Sequence, residues 1–145
     1  MPKPEDVRIA GRLSIAYMLR IGSEVLRRFP VDMLDLILIT TIANLNLVPP
    51  DRSGPAEDRL SGSHPERDGV SRNAVSRAVN VPLETVRRRI AGLIEKKILV
   101  ERPDGIVFSP DNPIGLGNNI ELTELNFELL RQLFRTLKAH GIDLD

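Results

Sequence analysis

Residues 70–108 read VSRNAVSRAVNVPLETVRRRIAGLIEKKILVERPDGIVF, and the reading of this stretch decides the fold. "SRNAVSRAV" is a short helix with Ser71 as its cap, "NVP" is a turn, and "LETVRRRIAGLIEKKI" is a longer helix. "LVERPDGIVFSP" reads as two strands around "PDG", because Asp-Gly between apolar runs is a strong hairpin signal. Val75, Val79 and Val81 are expected to point inward, and Ser76 is small where the two helices approach. Val86, Ile90, Leu93 and Ile94 form the buried stripe of the longer helix. Asn80 is expected in a left-handed backbone conformation, which asparagine tolerates better than most residues. Pro82 is compatible with a helix start.

Upstream, "MLDLILITTIANLNLV" (33–48) is the longest apolar stretch. Asp35, Asn44 and Asn46 interrupt it, and it is shorter than a membrane span of about 20 residues, so a buried core helix is expected. Asp32 is its natural N-cap, and Pro49 and Pro50 end it. A first helix is expected over about 7–29, with Ile9, Leu13, Tyr17, Ile21 and Val25 at helical spacing. Residues 49–68 are rich in proline, serine and charge and read as a long mobile loop. Beyond the hairpin, "DNPIGLGNN" is a loop. A last helix over about 120–140 carries Leu122, Leu125, Leu129, Leu133 and Leu137, with Gly141 as its stop. The expected organisation is therefore an N-terminal helical segment (1–31), a core domain (32–110) and a C-terminal helical segment (111–145).

The 145 residues carry 20 basic and 20 acidic side chains, for a formal net charge of zero. That total hides a partition. From Gly69 to Arg102, eight basic residues oppose three acidic ones, giving +5, while the remainder has 12 basic against 17 acidic, giving −5. The chain has no cysteine, which excludes a disulfide scaffold, a thiolate zinc site and a cysteine nucleophile. His64 and His140 stand in no metal-ligand spacing, and neither a glycine-rich phosphate loop nor a nucleophile elbow is present. No enzymatic activity, cofactor or metal is expected. With five aromatics, base stacking on an aromatic platform is not expected either. The N-terminus has no apolar stretch of signal-peptide type, so a cytoplasmic location without a membrane partner is the expectation.

Short helix, turn, longer basic helix and hairpin, in this order over 70–108, resemble the winged helix-turn-helix domains of bacterial transcriptional regulators of the MarR, GntR and IclR types. The fold the resemblance implies is mainly α: a winged helix-turn-helix with a small β-hairpin wing and additional N- and C-terminal helices. Asn80 stands where these families usually have glycine, and Pro82 where they often have a serine or threonine cap. The implied function is sequence-specific binding of double-stranded DNA, with the recognition helix 83–97 in the major groove.

On the wheel of that helix Arg88 lies opposite the apolar stripe, with Glu84, Thr85, Ala91 and Gly92 on the same outer face. Arg87 and Arg89 lie on the two flanks, suited to phosphates on either side, while Arg88 suits guanine, Thr85 a thymine methyl and Glu84 cytosine. Gly92 fits either a close approach to the groove or close packing against another helix. Arg72 and Asn73 fit phosphate contacts or plain capping, and Arg102 is the only cation of the wing.

Three consecutive arginines are also compatible with a solvated helix face, and the alternative function is a winged-helix protein–protein interaction module without DNA affinity. The terminal helices fit two arrangements, packing on each other within one chain or forming the interface of a homodimer. The resemblance to MarR- and PadR-type architectures implies the second, with two recognition helices about 34 Å apart on an inverted repeat. Regulators of these types also bind small-molecule effectors, and no residue pattern here singles one out.

Overall fold

The computed structural model describes residues 1–47, 68–114 and 118–144. Among these are five helices and one two-stranded antiparallel sheet: α1 (Pro4–Arg28), α2 (Met33–Leu47), α3 (Arg72–Val79), α4 (Leu83–Glu95), β1 (Leu99–Arg102), β2 (Gly105–Phe108) and α5 (Ile120–Ala139). The loop expected over 49–68, the prolines 49 and 50, and most of "GLGNN" lie outside the described residues, apart from Asp68 and residues 118–119. No single helix among the described residues is long and apolar enough to cross a membrane. The chain divides into two compact units, Met1–Pro30 with Pro113–Asp145, and Val31–Asn112.

In the second unit each element begins and ends for a local reason. Asp32 and Asp35 cap α2 reciprocally. The Asp35 N–H donates to Asp32 Oδ1 at 2.9 Å, and the Asp32 N–H donates to Asp35 Oδ2 at 3.2 Å. Ser71 Oγ accepts from the Ala74 N–H, capping α3 as expected. Asn80 ends α3 in the left-handed region, at φ 54° and ψ 46°. A short polar side chain tolerates that region better than most, and the turn is closed when Ser76 Oγ donates to the Val81 carbonyl at 2.6 Å. α4 ends in a Schellman arrangement: the Ile98 N–H donates to the Leu93 carbonyl at 3.0 Å, and the Lys97 N–H to that of Ile94 at 2.9 Å. Lys97 takes the left-handed position, φ 61°, and the buried Leu93 and Ile98 flank it.

The core of this unit joins one face of α2 (Leu38, Ile39, Ile42) to Val75 of α3, the α4 stripe (Val86, Ile90, Leu93) and the hairpin. The hairpin differs in one detail from the expected Asp-Gly corner. The two turn residues are Pro103 and Asp104, and Gly105 occupies the first position of β2, opposite Arg102. Proline fixes φ near −65°, which is incompatible with the positive-φ corner of the commonest two-residue turns. The positive φ therefore moves on to Gly105, at 132°.

A single-residue bridge, not anticipated, forms on the outer edge of β2. The Val70 N–H donates to the Ile106 carbonyl at 2.9 Å, and the Ile106 N–H donates back to Val70 at 2.8 Å. Both glycines at this crossing are required by space. A Cβ on Gly69 would lie 2.6 Å from the Asp104 carbonyl carbon, and one on Gly105 would lie 2.7 Å from the Val70 nitrogen.

In the first unit α1 and α5 pack against each other. They run antiparallel: Tyr17 Oη donates to Asn126 Oδ1, and Arg28 pairs with Glu121 at 3.2 Å nearer the other end. The leucine stripe of α5 turns inward. Leu122 and Leu137 are buried and Leu125, Leu129 and Leu133 half-buried, so packing within the chain uses that stripe. A different α5 face, with Ile120, Phe127 and Phe134, is left exposed, as are Val7, Ile15, Met18 and Leu19 on α1. Gly141 ends α5 at φ 67°, as expected.

Candidate nucleic-acid interface

The solvent face of α4 is built by the turn at Asn80 and the burial of Val86, Ile90 and Leu93 on the opposite face. Glu84, Arg87, Arg88 and Ala91 are exposed on it and Thr85 is half-buried. Arg88 and, in the last turn of α3, Arg77 form no ion pair among the described residues. Arg87 lies 3.8 Å from Glu84 one turn earlier, a loose exposed pair that holds neither side chain firmly. A Cβ placed on Gly92 meets nothing within 4 Å. Close packing against another helix is therefore removed as the reason for that glycine.

Three of the expected contact residues are engaged elsewhere. Arg89 is the main departure. It does not extend along the flank of α4 towards solvent but reaches back to the N-terminus of α2, pairing with Asp32 and, at 3.3 Å, with Asp35. Asp35 is buried. The Arg89 hydrogen bond, reinforced by the Asp35 backbone, holds the Asp32 carboxyl below the usual carboxylate range. The same two carboxylates thus cap α2 and anchor α4. Asp32 and Asp35 are legible as caps in the sequence, whereas their partner, 57 and 54 residues away, is not.

Arg72, at the first position of α3, pairs with Glu101 of β1 at 2.9 Å, and its guanidinium lowers the Glu101 pKa. Arg102, the cation of the hairpin, clamps Asp104 with two hydrogen bonds, Nε to Oδ1 at 3.0 Å and a terminal nitrogen to Oδ2 at 2.7 Å. Asp104 Oδ2 also accepts from the Gly69 N–H at 2.9 Å. These contacts, the arginine's first, drive the Asp104 carboxyl far below its ordinary range. Asn73 is exposed beside Arg72.

The expected +5 is therefore not one continuous sheet of charge. Arg72, Arg89 and Arg102 are matched by carboxylates, while Arg77, Arg87 and Arg88 remain the exposed arginines of α3 and α4.

Asn46, in the sequence a polar interruption of an apolar helix, holds the hairpin in place. Its side chain is 1% exposed. Nδ2 donates to the carbonyls of Asp68 (2.6 Å) and Ile106 (3.0 Å), and Oδ1 accepts from the Phe108 N–H at 2.9 Å. One asparagine thus shares the Ile106 carbonyl with the Val70 N–H and satisfies the Phe108 N–H, which Val70 does not reach. An uncharged polar residue on the buried side of an apolar helix, away from its capped end, is the signal that could have revealed it.

Among the described residues no group of three acidic, histidine or cysteine side chains is placed to hold a metal ion. No protein family, curated protein or solved structure matches the chain.

Proposed function

We propose that this protein is a winged-helix transcriptional regulator that binds double-stranded DNA sequence-specifically as a homodimer, with α4 in the major groove. The observation that carries the reading is Arg88. It is an exposed arginine without an ion pair among the described residues, at the centre of the solvent face of a helix set by a tight turn against a supporting helix. The element order, the hairpin after α4 and the Val70 bridge on its outer edge also support a winged-helix domain. Within the reading, Arg88 contacts a base edge, Arg87 and Arg77 contact phosphates, and Thr85 and Glu84 tune base preference. Arg89 is a positioning residue that holds α4 on α2. The unpartnered apolar residues of α1 and α5 support the homodimer.

The second reading, a protein-binding winged helix, draws on the neutralisation of Arg72, Arg89 and Arg102 by neighbouring carboxylates. Selection of bound duplexes from a random pool, followed by fluorescence anisotropy against salt, separates the two. The DNA reading expects an enriched, inverted-repeat sequence whose affinity falls steeply with salt. It expects Arg88→Ala to relax base choice by about 1–3 kcal/mol at one position, and Arg87→Ala to weaken all sequences evenly. Folded protein that binds no duplex at low salt overturns it in favour of the protein-binding reading.

A further inference from the structure

α5 carries an unusual division of charge. Its N-terminal half has only acidic charged residues, Glu121, Glu124 and Glu128, and its C-terminal half only basic ones, Arg131, Arg135 and Lys138. At 100° per residue all six fall within about 100° of arc, beside the exposed Ile120, Phe127 and Phe134. The helix macrodipole accounts for the outermost members, but its effect fades within the first and last turns. Glu128 and Arg131 sit in the middle of the helix, beyond the reach of the macrodipole, and pair loosely with each other one turn apart.

We infer that α5 is the dyad element of the homodimer, crossing a second copy of itself antiparallel about a two-fold axis at Leu130. An isologous interface requires a surface complementary to itself, and this face meets that requirement position by position. With the axis at Leu130, Glu128 stands opposite Arg131 of the second copy, Glu124 opposite Arg135, and Phe127 opposite Phe134, all within a residue of register. One open hollow of about 500 Å³ beside Phe127 is lined by Thr123, Glu124 and Glu128. A second, also about 500 Å³, lies between Phe134, Leu137 and Lys138 and the residues after α5, from Gly141 to Leu144.

Phe127 and Phe134 are 58% and 61% exposed, and rings of this size dominate interface energetics when covered. Within the chain Arg131 already lies over the Phe127 ring, 5.0 Å from its centre, and 3.4 Å from Glu128. The central charge and ring are thus held ready for a second copy. Glu121 is held by Arg28 of the neighbouring helix, whereas Glu128 and Arg131 share only an exposed one-turn pair that they exchange to meet a second copy.

This inference specifies the homodimer named in the proposed function, and its assay contains no DNA, so its failure is distinct from failure of DNA binding. Two full-length variants, E124K/E128K and R131E/R135E, are compared with wild type by sedimentation equilibrium, with circular dichroism as the check of folding. Wild type is expected at twice the 16.2 kDa chain mass. Each variant alone places like charges across the axis and is expected to dissociate at least tenfold more readily. An equimolar mixture restores opposite charges at all four positions and is expected to return to the dimer mass. A monomeric wild type, variants that dimerise as well as wild type, or a mixture that stays monomeric overturns the inference.

A second test keeps the question open should a charge reversal unfold the chain. The protein has no cysteine, so a short thiol-to-thiol crosslinker should join Leu130→Cys chains to each other. It should not join Glu121→Cys chains, whose copies stand roughly 27 Å apart along the helix pair. Equal crosslinking of both, or of neither, refutes the dyad at Leu130.

Discussion

Replacing Asn46 by alanine tests whether one side chain fastens the hairpin to α2. Three hydrogen bonds are lost at a position 1% exposed to solvent. The carbonyl of Ile106 keeps the Val70 N–H as a donor, so it is not orphaned. The Phe108 N–H loses the bond to its side-chain acceptor on the outer edge of β2. A buried donor left without a partner costs about 1–3 kcal/mol, and each of the two other bonds contributes about 0.5–1.5 kcal/mol net. The expected loss is about 3–4 kcal/mol, a large share of the roughly 5–15 kcal/mol typical of a folded domain. For a urea dependence of about 1.5 kcal/mol per molar, the midpoint falls by about 2 M.

Urea unfolding followed by far-ultraviolet circular dichroism, at one fixed protein concentration, reads this directly. Asn44→Ala is the matched control, because Asn44 is exposed on the same helix and its change should stay within about 0.5 kcal/mol. The reasoning fails if Asn46→Ala lies within about 1 kcal/mol of that control, since the hairpin would then hold its place without the asparagine.

Two further outcomes are expected in the same region. Gly105→Ala forces a Cβ to within 2.7 Å of the Val70 nitrogen at a φ of 132°, which should cost about 2–4 kcal/mol; amide exchange at Ile106 should rise strongly, and unchanged protection there would contradict the crossing. Asp104 has a lowered pKa, so its contribution to stability is complete above the ordinary aspartate value of about 3.9 and is lost as pH falls through the lower folded-state value. The Gly69 amide resonance should therefore titrate only below pH about 4, and Asp104→Asn should abolish that titration.

Much of the second unit was legible because its signals are local. The Ser71 cap, the left-handed Asn80, the apolar stripe of α4 and the hairpin each depend on residues within a few positions of one another. The same holds for the outward placement of Arg88, which follows from helical period alone. The partners of the other arginines were not legible. Arg87, Arg88 and Arg89 are consecutive and chemically identical, and only the position of α2 beside α4 makes Arg89 an anchor while Arg88 stays in solvent.

Local chemistry in the sequence therefore determined which segments form helices, where they stop, and which face of α4 meets water. Tertiary structure decided what no local pattern encodes. It brought Asn46 to the edge of β2 across about 60 residues of chain, laid the Gly69–Val70 backbone against Gly105, and took Arg72, Arg89 and Arg102 out of the exposed basic set. The reason is physical: a helical period or a cap is written in neighbouring residues, whereas an ion pair or an edge hydrogen bond exists only once packing has chosen which distant groups meet.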